Sequence, residues 1–178
     1  MVTNYLITGS PGSGKTTLLR RLSQKLVDIP LGGFLTREIR QQGVRQGFTL
    51  ESFQGKKTVL AHVSFPRTIA VGKYGVDLAA LEDFVEEMMT SQPVSLWIID
   101  EIGKMECYSS KFTQVVGQLL DSPVPVVASV ALKGGGFIAE VKQRPDVQLF
   151  HLTPQNRELL VTELEKLIRK ALPLKKEK

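Results

Sequence analysis

Hydrophobic residues along the chain occur in two kinds of pattern, and the two kinds alternate. Short continuous apolar runs are typical of strands that are buried on both faces of a parallel sheet. Such runs predict four core strands, at residues 5–8, 95–101, 125–130 and 147–152. Between them, apolar residues recur at the three- and four-residue spacing of amphipathic helices. The alternation predicts a three-layer α/β fold in which a mostly parallel sheet lies between helices.

The helices predicted by this spacing begin at residues that are suited to helix termini. Serine, threonine and aspartate cap the first turn, and proline is tolerated there because that turn has no hydrogen bond to lose. In chain order, the predicted helix starts are residue 16, Asp77, Ser109 or Ser110, Phe137, and Thr153 followed by Pro154.

The stretch between the first and second helices departs from the alternation. Residues 32–39 and 47–53 have extended patterns with a glycine-containing turn between them, and residues 57–63 follow a further turn near Gly55. The stretch is too short for helical crossovers, which parallel pairing requires. We therefore expect antiparallel β-hairpins inserted at about residues 32–63.

Length and composition favour one compact unit. With 178 residues, 42% of them hydrophobic, the chain can bury a substantial core. We predict a single domain over residues 1–172 and a basic tail at residues 173–178. The one cysteine, Cys107, excludes an intrachain disulfide and suits a reducing compartment. Since no apolar stretch approaches the ~20 residues of a membrane span, we expect a cytoplasmic protein with no membrane partner. We expect a monomer rather than an oligomer.

The strongest chemical signal is a glycine-rich loop between the first strand and the first helix. Its spacing, G-x-x-x-x-G-K-[ST], is the phosphate-binding pattern of P-loop proteins. The loop consists of Gly9, Ser10, Pro11, Gly12, Ser13, Gly14, Lys15 and Thr16. Its main-chain N–H groups can converge on phosphate oxygens at the positive end of the helix. We expect Lys15 to bridge the β- and γ-phosphates and Thr16 to ligate Mg²⁺.

A second signal is the acidic pair that ends the strand at residues 95–101. Ligands of open α/β sheets bind at the carboxyl ends of the strands, so Asp100 can reach the magnesium sphere. Glu101 then remains available to orient or deprotonate the water that attacks the γ-phosphate. Together, the loop and the acidic pair predict hydrolysis of a nucleoside triphosphate with Mg²⁺ as cofactor.

The transition state of this reaction calls for a further cation, and the sequence leaves three candidates open. Lys104 lies three residues beyond the acidic pair. Arg157 lies near the start of the closing helix, where it and Asn156 could contact the base or the phosphates. Arg40 and Arg45 could instead reach over the site from the hairpins.

Two other side chains have open alternatives. Glu106 could pair with one of these cations. Tyr74, flanked by Gly72 and Gly75, could stack on a nucleotide base or pack on the edge of the sheet.

The formal net charge of +5 raises the possibility of a nucleic-acid partner. Part of this charge is needed for a polyphosphate substrate, and Lys175, Lys176 and Lys178 fall in the terminal tail. No basic segment interleaved with aromatic residues is present. The sequence therefore favours nucleoside triphosphates over nucleic acid.

Five blocks of sequence together are selective for one family. They are residues 9–16, 33–40 with 45–48, 71–76, 99–106 and 152–157. The phosphate loop is shared by many families, but the Asp-Glu-Ile-Gly-Lys-Met-Glu run and the Gly-Phe-x-Thr-x-Glu block are far more selective. On these residues, the chain resembles the THEP1 nucleoside-triphosphatases, relatives of the human cancer-related nucleoside-triphosphatase.

The resemblance implies a core similar to RecA and AAA+ proteins and slow hydrolysis of ATP, GTP, CTP and UTP with little base preference. It extends the nucleotide contacts over the loop to Thr17 and over the acidic strand. The strand residues are Leu96, Trp97, Ile98, Ile99, Asp100, Glu101, Ile102 and Gly103. Two rival functions share this scaffold: a small nucleoside or metabolite kinase, and a nucleotide-dependent binding switch.

Overall fold

The computed structural model describes residues 3–90 and 93–172 of the chain, and the predicted basic tail at 173–178 lies outside them. The strands are β1 (Asn4–Thr8), β2 (Leu31–Gln41), β3 (Val44–Ser52), β4 (Lys57–His62), β5 (Ala70–Val71), β6 (Tyr74–Val76), β7 (Leu96–Ile102), β8 (Val126–Val130) and β9 (Val147–His151). The helices are α1 (Lys15–Lys25), α2 (Leu78–Met88), α3 (Ser110–Asp121), α4 (Phe137–Lys142) and α5 (Arg157–Ala171), with a short 3₁₀ helix at Glu106–Tyr108.

All strands of the described ranges form one sheet in the order β5-β6-β4-β3-β2-β7-β8-β1-β9. Strands β2, β7, β8, β1 and β9 are joined by parallel pairings, whereas β2 to β6 are joined by antiparallel pairings. The predicted α/β fold with inserted hairpins is confirmed. The antiparallel part extends beyond the predicted limit because β5 and β6, with two and three residues, are too short to show a readable alternation.

Helices cover both faces of the sheet because alternate residues of each central strand point to opposite sides. In β1, Tyr5 and Ile7 belong to the core beneath α1 and α5, and Leu6 belongs to the core beneath α2 and α3. The apolar run of β7 divides between the two cores in the same way. Within the described ranges, no helix is long and apolar enough to cross a membrane.

The join between the parallel and antiparallel parts lies at β2, which packs unusually close to β7. Gly33 has a φ of 99°, and a Cβ placed on it would lie 1.9 Å from the Ile98 carbonyl oxygen. Glycine is therefore required for this approach. The parallel register pairs Phe34 with Ile99. As a result, Thr36 lies beside Asp100 at the carboxyl end of β7.

The closing helix begins later than the sequence predicted. Helix α5 starts at Arg157 and is preceded by Asn156, so the predicted cap at Thr153 is wrong. The Asn156 side chain fixes the preceding loop, since its Oδ1 accepts the Thr153 N–H at 2.8 Å and its Nδ2 donates to the His151 carbonyl at 2.9 Å. The Asn156 side chain thus satisfies main-chain groups of the loop, although the loop is not helical.

Candidate active site

The glycine-rich loop connects β1 to α1 and wraps around the side chain of Lys15. The Nζ of Lys15 donates to the carbonyl oxygens of Gly9 and Ser10 at 3.1 and 3.4 Å. Helix α1 begins at Lys15, and Gly14 precedes it with a φ of 98° and no side-chain cap. A helix terminus binds an anion through its first N–H groups, and no side chain at the Gly14 cap position occupies these groups in α1.

Asp100 is fully buried at the carboxyl end of β7 and is surrounded by hydroxyl and amide donors. Its Oδ1 accepts hydrogen bonds from Thr16 Oγ1 at 3.1 Å and from Ser129 Oγ at 3.0 Å. Its Oδ2 accepts the Thr36 N–H at 3.0 Å, and Thr36 Oγ1 donates to the Asp100 carbonyl at 2.9 Å. Burial raises the pKa of Asp100, although these hydrogen bonds oppose the shift.

The contact between Thr16 and Asp100 joins the two predicted ligands of Mg²⁺. A hydroxyl oxygen and a carboxylate oxygen suit this hard cation, which protein sites typically bind through one or two side chains, water and substrate phosphates. Within the described ranges, no cluster of three or more acidic, histidine or cysteine residues could hold a metal alone. The two oxygen donors of Thr16 and Asp100 fit a hard cation such as Mg²⁺.

Glu101 lies in an unusual backbone conformation beside this pair. Its φ is 91°, and the pairing of β7 with β8 shifts register between Ile99 and Ile102. A non-glycine residue at positive φ costs about 1–3 kcal/mol, and such strain concentrates at functional sites. Burial raises the pKa of Glu101, the charge of Lys15 opposes this shift, and the charge of Asp100 adds to it. Glu101 therefore lies within electrostatic reach of the phosphate loop.

Three buried side-chain atoms of the described residues have no hydrogen-bond partner, and all three adjoin the phosphate loop. They are Thr8 Oγ1, Ser13 Oγ and Arg157 Nε. Unpaired buried polar atoms are costly and rare in folded proteins. Their concentration here indicates that the loop is built to receive a polar ligand.

Arg157 extends from the start of α5 onto the phosphate loop. A Cβ placed on Gly14 would lie 2.8 Å from Nη1 of Arg157, so the guanidinium lies directly over this glycine. The neighbouring Asn156 amide is already committed to Thr153 and His151. Of the two residues predicted at this position, Arg157 is therefore the one with donors available to a ligand.

The other candidate cations lie elsewhere. Arg40 and Arg45 pair with Glu38 at 2.6 and 3.0 Å, and Arg45 Nε also donates to the Tyr74 hydroxyl at 2.8 Å. Tyr74 is buried edge-on against Phe48. These arginines are paired within the hairpins, so their interpretation as a lid stays a prediction. Tyr74 packs on the sheet rather than presenting a face to a base.

Lys104 is exposed and lies on a different cleft. This cleft has a volume of about 340 Å³, and its walls include Lys104, Tyr108 and Lys133 but no residue of the phosphate loop. The predicted ion pair of Glu106 with a cation is also wrong, since Glu106 is buried and, among the described residues, no salt bridge involves it.

The β7 residues that were predicted to contact the nucleotide fall into two groups. Leu96, Trp97, Ile98 and Ile99 are buried between the helical layers, so their role is to hold Asp100 in place. Only the end of the strand faces the loop. Sequence reasoning missed Thr36 and Ser129, the partners of Asp100. Thr36 belongs to the selective Gly-Phe-x-Thr-x-Glu block, which was the available signal for it.

Known proteins are similar to this chain over most of its length. A family model described as NTPase matches residues 4–165. The chain is 42% identical over 161 residues to nucleoside-triphosphatase THEP1 of Thermotoga sp. (strain RQ2), covering 89% of this chain and 91% of that protein. It is 33% identical over 181 residues to the cancer-related nucleoside-triphosphatase of Homo sapiens, covering 92% of this chain and 95% of the human protein.

Solved structures give the same result for the fold. The crystal structure of THEP1 from the hyperthermophile Aquifex aeolicus superposes with a TM-score of 0.80 at 32% identity, covering 93% of this chain and 98% of that chain. The solution structure of the human cancer-related nucleoside triphosphatase gives a TM-score of 0.81 at 32% identity, covering 97% and 100%. The resemblance inferred from the sequence blocks is confirmed.

Proposed function

This chain belongs to the NTPase family that includes the THEP1 nucleoside-triphosphatases, and from this premise we propose that it hydrolyses the terminal phosphate of nucleoside triphosphates. The observation that carries the proposal is the hydrogen bond between Thr16 of the phosphate loop and Asp100 of β7, with Glu101 next in the chain. This hydrogen bond brings the phosphate loop, the two magnesium ligands that we assign and the acidic Glu101 together at one end of the sheet.

Each residue of the site has a role that follows from its chemistry. The main-chain N–H groups of the loop and the Lys15 ammonium bind the phosphates, and Lys15 exchanges the Gly9 and Ser10 carbonyls for phosphate oxygens. Thr16 and Asp100 would hold Mg²⁺, directly or through its water shell. The ion would supply positive charge that neutralises the phosphate oxygens.

Glu101 is the residue we assign to the attacking water. It does not ligate the metal, so its carboxylate remains an acceptor that can aim a water in line with the leaving group. Its strained backbone supports this role, since strain of this kind persists where the surrounding structure enforces a functional geometry.

Arg157 is the added cation that the geometry favours over Lys104. Its guanidinium overlies Gly14, and its buried Nε has no hydrogen-bond partner in the described part of the chain, since the nearest acid, Glu158, has its Oε1 3.7 Å away. A phosphate oxygen or the nucleotide itself would supply that partner. A cation that stabilises the transferring phosphate is worth as much as ~10³–10⁵ in rate.

The base preference of the enzyme and its domain organisation complete the proposed function. The family membership of the chain supports hydrolysis of ATP, GTP, CTP and UTP with little base preference, as the resemblance implies. We further propose a single domain over residues 1–172 that acts as a monomer in the cytoplasm, where its substrates and Mg²⁺ are plentiful, without nucleic acid.

Release of inorganic phosphate from each of the four nucleotides, with and without Mg²⁺ and with no phosphate acceptor added, tests the proposal. We expect release from all four in Mg²⁺ and none with chelator. Lys15→Ala should lose both nucleotide binding and turnover. Tight nucleotide binding with no phosphate release in the absence of an acceptor would instead indicate a kinase.

A further inference from the structure

Glu106 is a buried acid that the proposed hydrolysis does not yet use. It opens the 3₁₀ helix after β7, and only 3% of its surface is exposed. Among the described residues, neither an ion pair nor a side-chain hydrogen bond engages its carboxyl. Two main-chain N–H groups, those of Gly103 and of Glu106 itself, are its hydrogen-bond donors. A buried carboxyl without a cation needs another explanation.

The side chains of Glu101 and Glu106 meet at Gly103. A Cβ placed on Gly103 would lie 2.9 Å from Oε1 of Glu101 and 3.0 Å from Oε2 of Glu106. The two carboxyl oxygens therefore flank one point in space, and a side chain at Gly103 would have to push one of them aside. Because both oxygens lie within about 3 Å of that point, one bridging water can join a hydroxyl on Glu106 to the Glu101 carboxylate.

The charges around Glu106 favour its neutral form. Burial and then the charge of Glu101 raise the pKa of Glu106 to about 8, and Asp100 adds to the effect. On the helices packed against the 3₁₀ segment, Glu82 accepts a hydrogen bond from Ser109, and Glu86 pairs with Lys111. The neighbouring Lys104 points into the exposed cleft. No cation on these elements offsets the burial of Glu106.

Glu101, by contrast, lacks a donor that would fix its orientation. Within the described ranges, no main-chain or side-chain group donates a hydrogen bond to its carboxylate, although burial restricts its exposure. A neutral carboxyl on Glu106 carries an O–H group, and it faces Glu101 across Gly103. It can therefore supply the missing donor.

We propose that Glu106 is a positioning residue of the hydrolysis, which as a neutral acid donates a hydrogen bond to the Glu101 carboxylate and holds it toward the attacking water. The inference rests on the proposed function. The acid proton stays on Glu106 throughout, so no proton is transferred within the pair. Glu101 remains the only one of the two that contacts the water.

Substitutions at Glu106 distinguish a hydrogen-bond donor from a general base and from a side chain that is needed only for packing. Loss of a hydrogen bond to a charged group should lower kcat about 10- to 100-fold in Glu106→Ala, with the Kd for a fluorescent nucleotide unchanged. Glu106→Gln keeps a neutral donor and should recover most of this loss. Equal inactivity of the Gln and Ala variants would overturn the proposal, as would wild-type kcat in Glu106→Ala.

The pH profile gives a readout that a purely structural role would not move. Wild-type kcat should fall as pH rises through about 8, where Glu106 loses its proton, and this fall should be absent in Glu106→Gln. An alkaline limb that persists unchanged in Glu106→Gln contradicts the assignment.

A matched pair of glycine variants tests the geometry. Gly103→Ala forces a methyl group between the two carboxyls and should lower kcat, whereas Gly117→Ala on α3, where a Cβ meets nothing within 4 Å, should not. Equal activity of the two variants would argue against the contact.

The infrared band of a protonated carboxyl in nucleotide-free protein at pH 7 provides a test without turnover. We expect the band in the wild type and its loss in Glu106→Gln, and a band unchanged by that substitution overturns the inference. Absence of phosphate release from the wild type would refute the proposed function, but this spectrum would still report on Glu106.

Discussion

The two halves of the sheet use their polar residues in opposite ways. In the antiparallel half, polar side chains satisfy one another: Glu38 pairs with Arg40 and Arg45, and Glu51 pairs with Arg37 and Lys57. In the parallel half, the described atoms around the phosphate loop include three that are buried and have no hydrogen-bond partner. The polar groups of the antiparallel half thus bond to one another, whereas those of the phosphate loop include donors and acceptors that the protein itself does not use.

The backbone follows the same division. The hairpins place their positive-φ residues at turn tips, such as Gln42 and Gly43, where they cost little. The parallel half places Glu101 at positive φ inside the site, next to the buried Asp100. Backbone strain and polar atoms without hydrogen bonds therefore coincide at one end of the parallel half, as is typical of functional sites.

The largest contrast between the halves should come from neutralising one glutamate in each. Glu101→Gln removes the acceptor for the attacking water, and kcat should fall about 10²- to 10⁴-fold, the usual contribution of a general base. Nucleotide affinity should stay near wild type, as measured by equilibrium binding. The matched change Glu51→Gln, in the antiparallel half, should leave kcat unchanged. Near-normal turnover in Glu101→Gln would remove Glu101 from the mechanism.

Glu106 should also make the parallel half sensitive to pH in its stability. Its pKa in the folded protein, about 8, lies well above 4.5, the ordinary value for a glutamate. The stability it contributes is therefore complete below pH 4.5 and is lost as pH rises through 8. At about 1.4 kcal/mol per pH unit, the wild type should lose up to about 4 kcal/mol between pH 5 and pH 8 relative to Glu106→Gln. Urea denaturation of both proteins across this range measures the difference, and parallel curves would contradict it.

Thr36 lies where the two halves meet and should show an intermediate effect. Its hydroxyl donates to the Asp100 carbonyl, and its N–H donates to the Asp100 carboxylate. Thr36→Val removes only the hydroxyl, and loss of such a supporting contact typically costs 10- to 100-fold in metal affinity. Titrating turnover with Mg²⁺ measures this shift. Thr49→Val on β3 is the control, and an equal Mg²⁺ requirement in both variants would exclude a role for Thr36.

Features encoded by neighbouring residues could be predicted from the sequence, and features that depend on distant residues could not. The phosphate loop occupies eight consecutive positions, and Asp100 ends a continuous apolar run, so both were predictable without tertiary information. The contact of Thr36 with Asp100 spans 64 positions and depends on the register of β2 against β7, which no local pattern encodes. Pairings of this kind were therefore missed.

The contacts of Glu106 and of the hairpin arginines were missed for one physical reason. A charged residue near other charges was expected to form an ion pair or to contact the ligand, as for Glu106 and the hairpin arginines. The chain instead turns back after β7 and buries Glu106 beside Glu101, and a hairpin turn brings Arg45 onto Glu38. In both cases, the partner was decided by backbone folding over a few residues rather than by charge.

The smallest effect should come from Arg45, which lies in the antiparallel half. The side chain is about half exposed, pairs with Glu38, and lies over the rings of Phe48 and Tyr74 at 5.1 and 5.7 Å. Exposed ion pairs contribute about 0–1 kcal/mol, and the cation–π contacts add a similar amount. Arg45→Gln should therefore lower the free energy of unfolding by about 1 kcal/mol and leave kcat within about twofold. Arg45→Lys, which keeps the charge but not the planar donors, should show whether charge or geometry matters. A loss of kcat in Arg45→Gln that Arg45→Lys restores would mean that the hairpin cation acts on the nucleotide, and the two halves would then share the catalysis.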